Sequence, residues 1–336
     1  MQATNNDSIY RIAAIWAFAE SGLGGLMHAF KIPFTGIFIG GMAVLMLILL
    51  AHQISSKNII QMTLLVMLVK LIASPQAPAP AYLAVAFQGF SAALIYMIIP
   101  HKKMATILFA VLAMMESALQ KIIITTLIYG KAFWEAIDMF SQSVLKDMGT
   151  FSDFQLSWWL ISTYCGIYFI WGIFLGFWGL SIQKRKEEMG LQLSIFIKEN
   201  QIQIPADFTI NNQKKKAILP YISILVILAM MSVFYFMGFK SKDLIWVLLR
   251  SLFALLFMIF ILNPIIKFYL KRWSEKQSDK RKKEIELILS HLPFIKENWF
   301  LSKEITRISN PGNKTLFKTL ETFIFLSLSN HDSRQQ

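Results

Sequence analysis

Residues 104–128 read MATILFAVLAMMESALQKIIITTLI. This apolar run is longer than the ~20 residues a helix needs to cross a bilayer. Its charges and amides are confined to Glu116, Gln120 and Lys121. Further apolar blocks fall at approximately 9–27, 34–52, 58–74, 80–99, 158–182, 217–238 and 244–268. The third ends at Ser74-Pro75-Gln76-Ala77-Pro78-Ala79-Pro80, a turn that no helix continues through. The expected fold is therefore all-α: a polytopic membrane bundle of about eight transmembrane helices, with a compact six-helix core and a two-helix hairpin.

Composition agrees with that pattern. Of 336 residues, 55% are hydrophobic and 16% charged, with a mean hydropathy of +0.52. A soluble domain of this length could not hide so much apolar surface, which excludes soluble α/β and all-β readings. The net charge of +13 comes from bases beside apolar blocks, at Lys184-Arg185-Lys186, Lys214-Lys215-Lys216, Lys271-Arg272 and Lys280 to Lys283. That placement suits cytoplasmic loops and anionic membrane lipid. No nucleic-acid-binding motif accompanies the charge, so no nucleic-acid partner is expected. The single cysteine, Cys165, lies inside an apolar block and is read as packing. The N-terminal residues MQATNNDSIYR show no cleavable signal, so the first helix is expected to remain.

Lys57, Lys102, Lys103 and the run from Lys184 put the N-terminus, residues 183–216 and the C-terminal tail inside, although Lys31, Lys240 and Lys242 fall on the other side. The chain is expected to divide into a six-helix core (1–182), a cytoplasmic linker (183–216), a transmembrane hairpin (217–270) and a basic amphipathic tail (271–336). Within the tail, KKEIELILSHLPFIKENWFLSKEI would lie on the membrane or dock a partner. The expected location is the bacterial cytoplasmic (inner) membrane.

Ionisable and amide groups inside apolar helices are costly, so they are candidates for function. Glu20, His28, Lys70, Gln88, Glu116, Gln120 and Lys121 form that set, with Lys31 in the first turn. Arg250 and Asn263 lie in the last apolar block. Glu116 and Gln120 share a helix face, being four residues apart. A cluster of both signs suits a polar or carboxylated small molecule; alternatively Glu116 and Lys70 merely pair to hold the bundle together. The glycine-rich turn Gly22-Leu-Gly-Gly-Leu-Met-His28-Ala-Phe-Lys31-Ile-Pro33-Phe-Thr-Gly36 reads either as a lid on that site or as a plain connection.

Small residues at four-residue spacing, Ala13, Ala17, Ser21 and Gly25, form a flat stripe on the first helix, open either to bundle packing or to partner docking. Gly36 with Gly40, and Gly172 with Gly176, repeat the spacing. No G-x-x-x-x-G-K-[ST] phosphate loop, H-E-x-x-H, metal cluster or G-x-S-x-G elbow occurs, so neither catalysis nor a bound cofactor is expected.

On the Ala13-x-x-x-Ala17 pattern, six short helices in about 180 residues and the glycine-rich turn leading into Ile32-Pro33, residues 1–182 resemble the substrate-binding subunit (S component) of an energy-coupling factor transporter. The resemblance implies an outward-facing site for a vitamin or cofactor precursor, capped by the first loop. It also implies docking through Ala13 and Ala17 on a transmembrane coupling subunit, with cytoplasmic ATPases supplying energy. The hairpin and tail after 183 depart from that pattern. Two rival readings stay open: a structural subunit of a larger membrane complex, and a lipid-modifying membrane enzyme using Glu116 or His28 as base.

Overall fold

A computed structural model of the chain describes residues 2–29, 34–74, 77–148, 155–200, 202, 246, 249–250, 252–254, 256–275, 278–309 and 316–328. The described residues are helical, with no strand among them. In chain order the helices are α1 (Gln2–Phe18), a π-helical turn (Ala19–Leu23), α2 (Gly24–Ala29), α3 (Thr35–Ala51), α4 (Ser56–Ala73), α5 (Ala79–Ile98), α6 (Lys102–Tyr129), α7 (Ala132–Asp147) and α8 (Leu156–Glu199). After a second π-helical turn (Met258–Leu262) come α9 (Asn263–Glu275), α10 (Ser278–Ser290), α11 (Leu292–Ser309) and α12 (Leu316–Leu328). Five stretches are long and apolar enough to cross a membrane: Ser56–Ala73, Ala79–Ile98, Lys102–Tyr129, Leu156–Glu199 and Leu252–Glu275. Helix α3 is equally apolar but has 17 residues. The expected span at 217–238 lies outside the described residues.

Helices α5 and α6 present rows of large apolar side chains outward, while much of their inward face is small residues beside Tyr82, Phe109 and Met114. On α5, Ala92, Ala93 and Gly89 face inward, whereas Leu83, Phe87, Phe90, Leu94 and Met97 form an exposed stripe at helical spacing. On α6, Ala105, Ala110, Ala113 and Ala118 are buried while Met104, Leu108, Leu112 and Leu119 are exposed. Such a stripe is stable against lipid and would aggregate in water.

Two units divide the chain. The first holds Met1–Gln120, Ser162–Ile204 and Leu262–Gln336. In it α1 packs on α3 and α4 with one side, and on α10, α11 and α12 with another. Close approach is set by glycines. A Cβ on Gly172 would stand 2.8 Å from the Val111 Cα, and one on Gly176 would stand 3.0 Å from the Ile107 Cα. Both sites therefore seat α8 directly on the α6 backbone, and the glycine pair belongs to internal packing.

Helix α8 differs from the expected division at 183. It has 44 residues and continues without a break through QKRKEEMGLQLSIFIKE to Glu199. The stretch is built of strong helix formers, and its first proline is Pro205. The tail likewise folds back on its own chain. Ile295, Leu301, Ile305, Phe323, Ile324, Phe325 and Leu326 are buried. Arg185 on α8 pairs with Glu321 on α12 and lies over the Phe325 ring. Gln61 on α4 donates to both carboxylate oxygens of Glu284 on α10, at 2.9 and 3.2 Å. The amphipathic face of the tail thus finds its apolar partner within the first unit.

The second unit holds Lys121–Ile161 and Pro205–Ile261. Gly130, at φ +78°, ends α6 in a backbone conformation that a side chain would strain, and α7 turns away two residues later. The Trp134 indole donates to Thr126 Oγ1 at 2.9 Å. Asp138 closes the start of α8, its Oδ1 accepting from the Ser157 N–H at 2.7 Å and its Oδ2 from the Ser157 hydroxyl at 2.6 Å. A carboxylate there satisfies first-turn N–H groups and complements the helix dipole.

Candidate functional site

The site is organised by the π-helical turn. A wider turn inserts one residue into the register of the first helix, and here it carries Glu20 inward, 9% exposed. Lys70 stands on the last turn of α4, 3% exposed. Its ammonium donates to Glu20 Oε2 at 2.8 Å and to the Ala81 carbonyl at 3.1 Å, and sits 5.8 Å from the Tyr82 ring centre. Hydroxyls extend this knot. Ser74 Oγ donates to the Ser21 carbonyl at 3.0 Å, Ser21 Oγ to the Ala17 carbonyl at 2.6 Å, and Tyr82 to the Ser74 carbonyl at 3.4 Å. Carbonyls displaced from the regular ladder by the π turn and by the Pro-rich end of α4 find their donors in these contacts.

Two further amides bridge α5 and α6. Gln120 Nε2 donates to the Pro80 carbonyl at 2.9 Å. Gln88, 2% exposed, donates through Nε2 to Ser117 Oγ at 3.5 Å. Gly40 on α3 leaves the room for both, because a Cβ there would stand 3.2 Å from Ser117 Oγ and 3.5 Å from Gln88 Nε2. Glu116 precedes Ser117 on α6 and is near enough to Glu20 for the two carboxylates to feel each other's charge. Gln88 Oε1 and Glu116 Oε2 are both buried and have no hydrogen-bond partner.

The structure therefore brings Glu20, Lys70, Gln88, Glu116 and Gln120 into one polar region. The alternative in which Glu116 pairs with Lys70 is not what forms: Lys70 pairs with Glu20, which the π turn carries inward. Lys121 is exposed and belongs to the second unit. The backbone of His28 lies in α2, and Lys31 lies outside the described residues. The stretch from Gly22 to His28, expected as part of a loop, is helical instead. Ala13 and Ala17 are fully buried by the chain's own helices; Ser21 is half-buried and Gly25 exposed with open space beside it. The stripe is thus internal packing at its first two positions.

Four participants escape a search for charges and amides: Ser74, Tyr82, Ser117 and Gly40. A hydroxyl beside a proline turn or next to a buried carboxylate is the signal that would have found the serines. Phe34 also marks the region where α3 begins. It adopts φ 59°, uncommon for a bulky residue, and stacks on Tyr164, whose hydroxyl bonds that of Tyr168 at 3.1 Å. Among the described residues no group of three His, Cys, Asp or Glu is arranged to hold a metal ion.

No family model, curated protein or solved structure matches this chain.

Proposed function

We propose that the chain is a solute-binding membrane subunit for uptake of a small polar micronutrient, of the vitamin or cofactor-precursor class, at the bacterial cytoplasmic membrane. In this reading about eight helices cross the bilayer with both termini inside. A transmembrane coupling subunit and cytoplasmic ATPases supply the energy. One observation carries it: Gln88 Oε1 and Glu116 Oε2 are buried within one polar region and lack partners. An unmade hydrogen bond of this kind costs roughly 1–3 kcal/mol per group, more for a charged one. A bound solute that supplies the missing partners removes that cost. The cluster's other polar groups satisfy one another and hold these two in place.

Native mass spectrometry of the gently purified protein tests the reading. A small-molecule adduct is expected, and it should disappear with Glu116→Ala. Purification with no adduct, under conditions that retain lipid, counts against a binding role.

The structural-subunit reading has its own support in the Glu20–Lys70 pair, which is complete without any ligand. It predicts a stoichiometric protein partner and retained function when Gln88 and Glu116 are replaced by apolar residues. The solute-binding reading predicts loss.

A further inference from the structure

The charges of the candidate site divide into those already used and those left over. Among the described residues Lys70 is its one buried ammonium, with its side chain 4% exposed. Glu20 Oε2 and the Ala81 carbonyl take two of its three donors. A solute carboxylate could reach that charge only by displacing Glu20, which would leave a second buried carboxylate without its cation. Breaking a buried pair in this way costs several kcal/mol. The charge of this described ammonium is therefore spent.

Two of the groups that remain are acceptors. The Gln88 amide directs its Nε2 to Ser117 Oγ at 3.5 Å, and the Ser117 hydroxyl donates to the Ala113 carbonyl at 3.3 Å, an arrangement that turns the Gln88 Oε1 away from Ser117. That Oε1 and Glu116 Oε2 are the cluster's unpartnered oxygens. Glu20 and Lys70 cancel as an ion pair. The Trp16 indole, one turn before Glu20 on α1, is a buried donor without a partner. It can donate to an acceptor on the solute.

We infer that the solute presents hydrogen-bond donors to Gln88 Oε1 and Glu116 Oε2, as a compact organic cation or an N–H-rich group, and not a carboxylate. This rests on the solute-binding reading and narrows it, choosing within the polar or carboxylated ligand that the mixed charges of the sequence suggest.

The test uses the full chain in detergent, with unfolding followed through its nine tryptophans. The probes are methylammonium and acetate at matched ionic strength, both small enough that shape selectivity plays little part. Methylammonium is expected to raise Tm above the acetate value by about 2 °C. Gln88→Leu and, separately, Glu116→Gln should each shrink that difference. Glu116→Gln preserves size, so it decides the matter should the leucine variant fail to fold. Equal Tm with both probes, a higher Tm in acetate, or a difference unchanged in the variants overturns the assignment. The wider reading fails separately. A copurified adduct that is a carboxylate without cationic or N–H groups would overturn the donor assignment and sustain binding, whereas no adduct at all would overturn both.

Discussion

Replacing Glu20 with leucine isolates the energetics of the buried pair. Its partner Lys70 would keep the Ala81 carbonyl at 3.1 Å and the Tyr82 ring at 5.8 Å but lose the only carboxylate bonded to it. Breaking a buried ion pair from one side costs about 3–5 kcal/mol. Lys70 stands on the last turn of α4, where its ammonium can turn toward the interface, so the low end applies, about 3 kcal/mol. For a unit of this size that corresponds to a fall in Tm of roughly 6–12 °C. The double variant Glu20→Leu/Lys70→Met removes both charges and keeps the apolar volume. It should recover most of the loss, giving a coupling energy of about 2–3 kcal/mol in a double-mutant cycle. The assay is unfolding of the detergent-solubilised chain, read by tryptophan fluorescence for wild type, both single variants and the double. A Glu20→Leu cost below about 1 kcal/mol, or single-variant losses that simply add in the double, would refute the claim that the pair holds the π turn against α4 and α5.

Three other perturbations test separate parts of the fold. Gly172→Ala places a Cβ 2.8 Å from the Val111 Cα, so α6 and α8 must separate. A loss of about 1–3 kcal/mol is expected, and an unchanged Tm would contradict the close packing. Asp138→Ala removes both acceptors that close the start of α8. It should cost about 1–2 kcal/mol and speed amide exchange at residues 156–160, with exchange elsewhere unaltered. Arg185→Glu breaks the link to Glu321 between two partly exposed side chains, 40% and 21%. It should cost no more than about 1 kcal/mol, and adding Glu321→Arg should restore it. A swap that fails to restore stability would show that packing on Phe325, not charge, fastens α12.

The fold was legible where the physical signal is local. Spans at 58–74, 80–99 and 104–128 match α4, α5 and α6 within two residues at each end, because apolar length, prolines and flanking lysines lie in the segment itself. Helix α8 was cut short at 182 because polarity rises there, yet polarity ends a membrane span without ending a helix. The tail was expected on a membrane or a partner. Its amphipathic pattern announces an apolar face in need of cover, and nothing in the pattern says that α1 supplies it.

The candidate site shows the same division more sharply. A polar residue in an apolar helix is visible in any sequence, and Glu20, Lys70, Gln88, Glu116 and Gln120 were all found that way. Which of them is satisfied is a tertiary property. Glu20 and Lys70 lie fifty positions apart, Gln120 and Pro80 forty. The inward aim of Glu20 depends on a π turn for which Gly22, Gly24 and Gly25 give only permission. Once partners are assigned, the set separates by chemistry. Residues whose donors and acceptors close on one another build the knot at the ends of α4 and α5 and need no ligand. Gln88 Oε1 and Glu116 Oε2 stay unpartnered, as do Gln183 Oε1 and Asn263 Oδ1 elsewhere in the chain, and burying an acceptor unpaired lowers stability. The burial of the Gln88 and Glu116 oxygens beside a completed ion pair is the observation on which the proposed solute-binding reading rests.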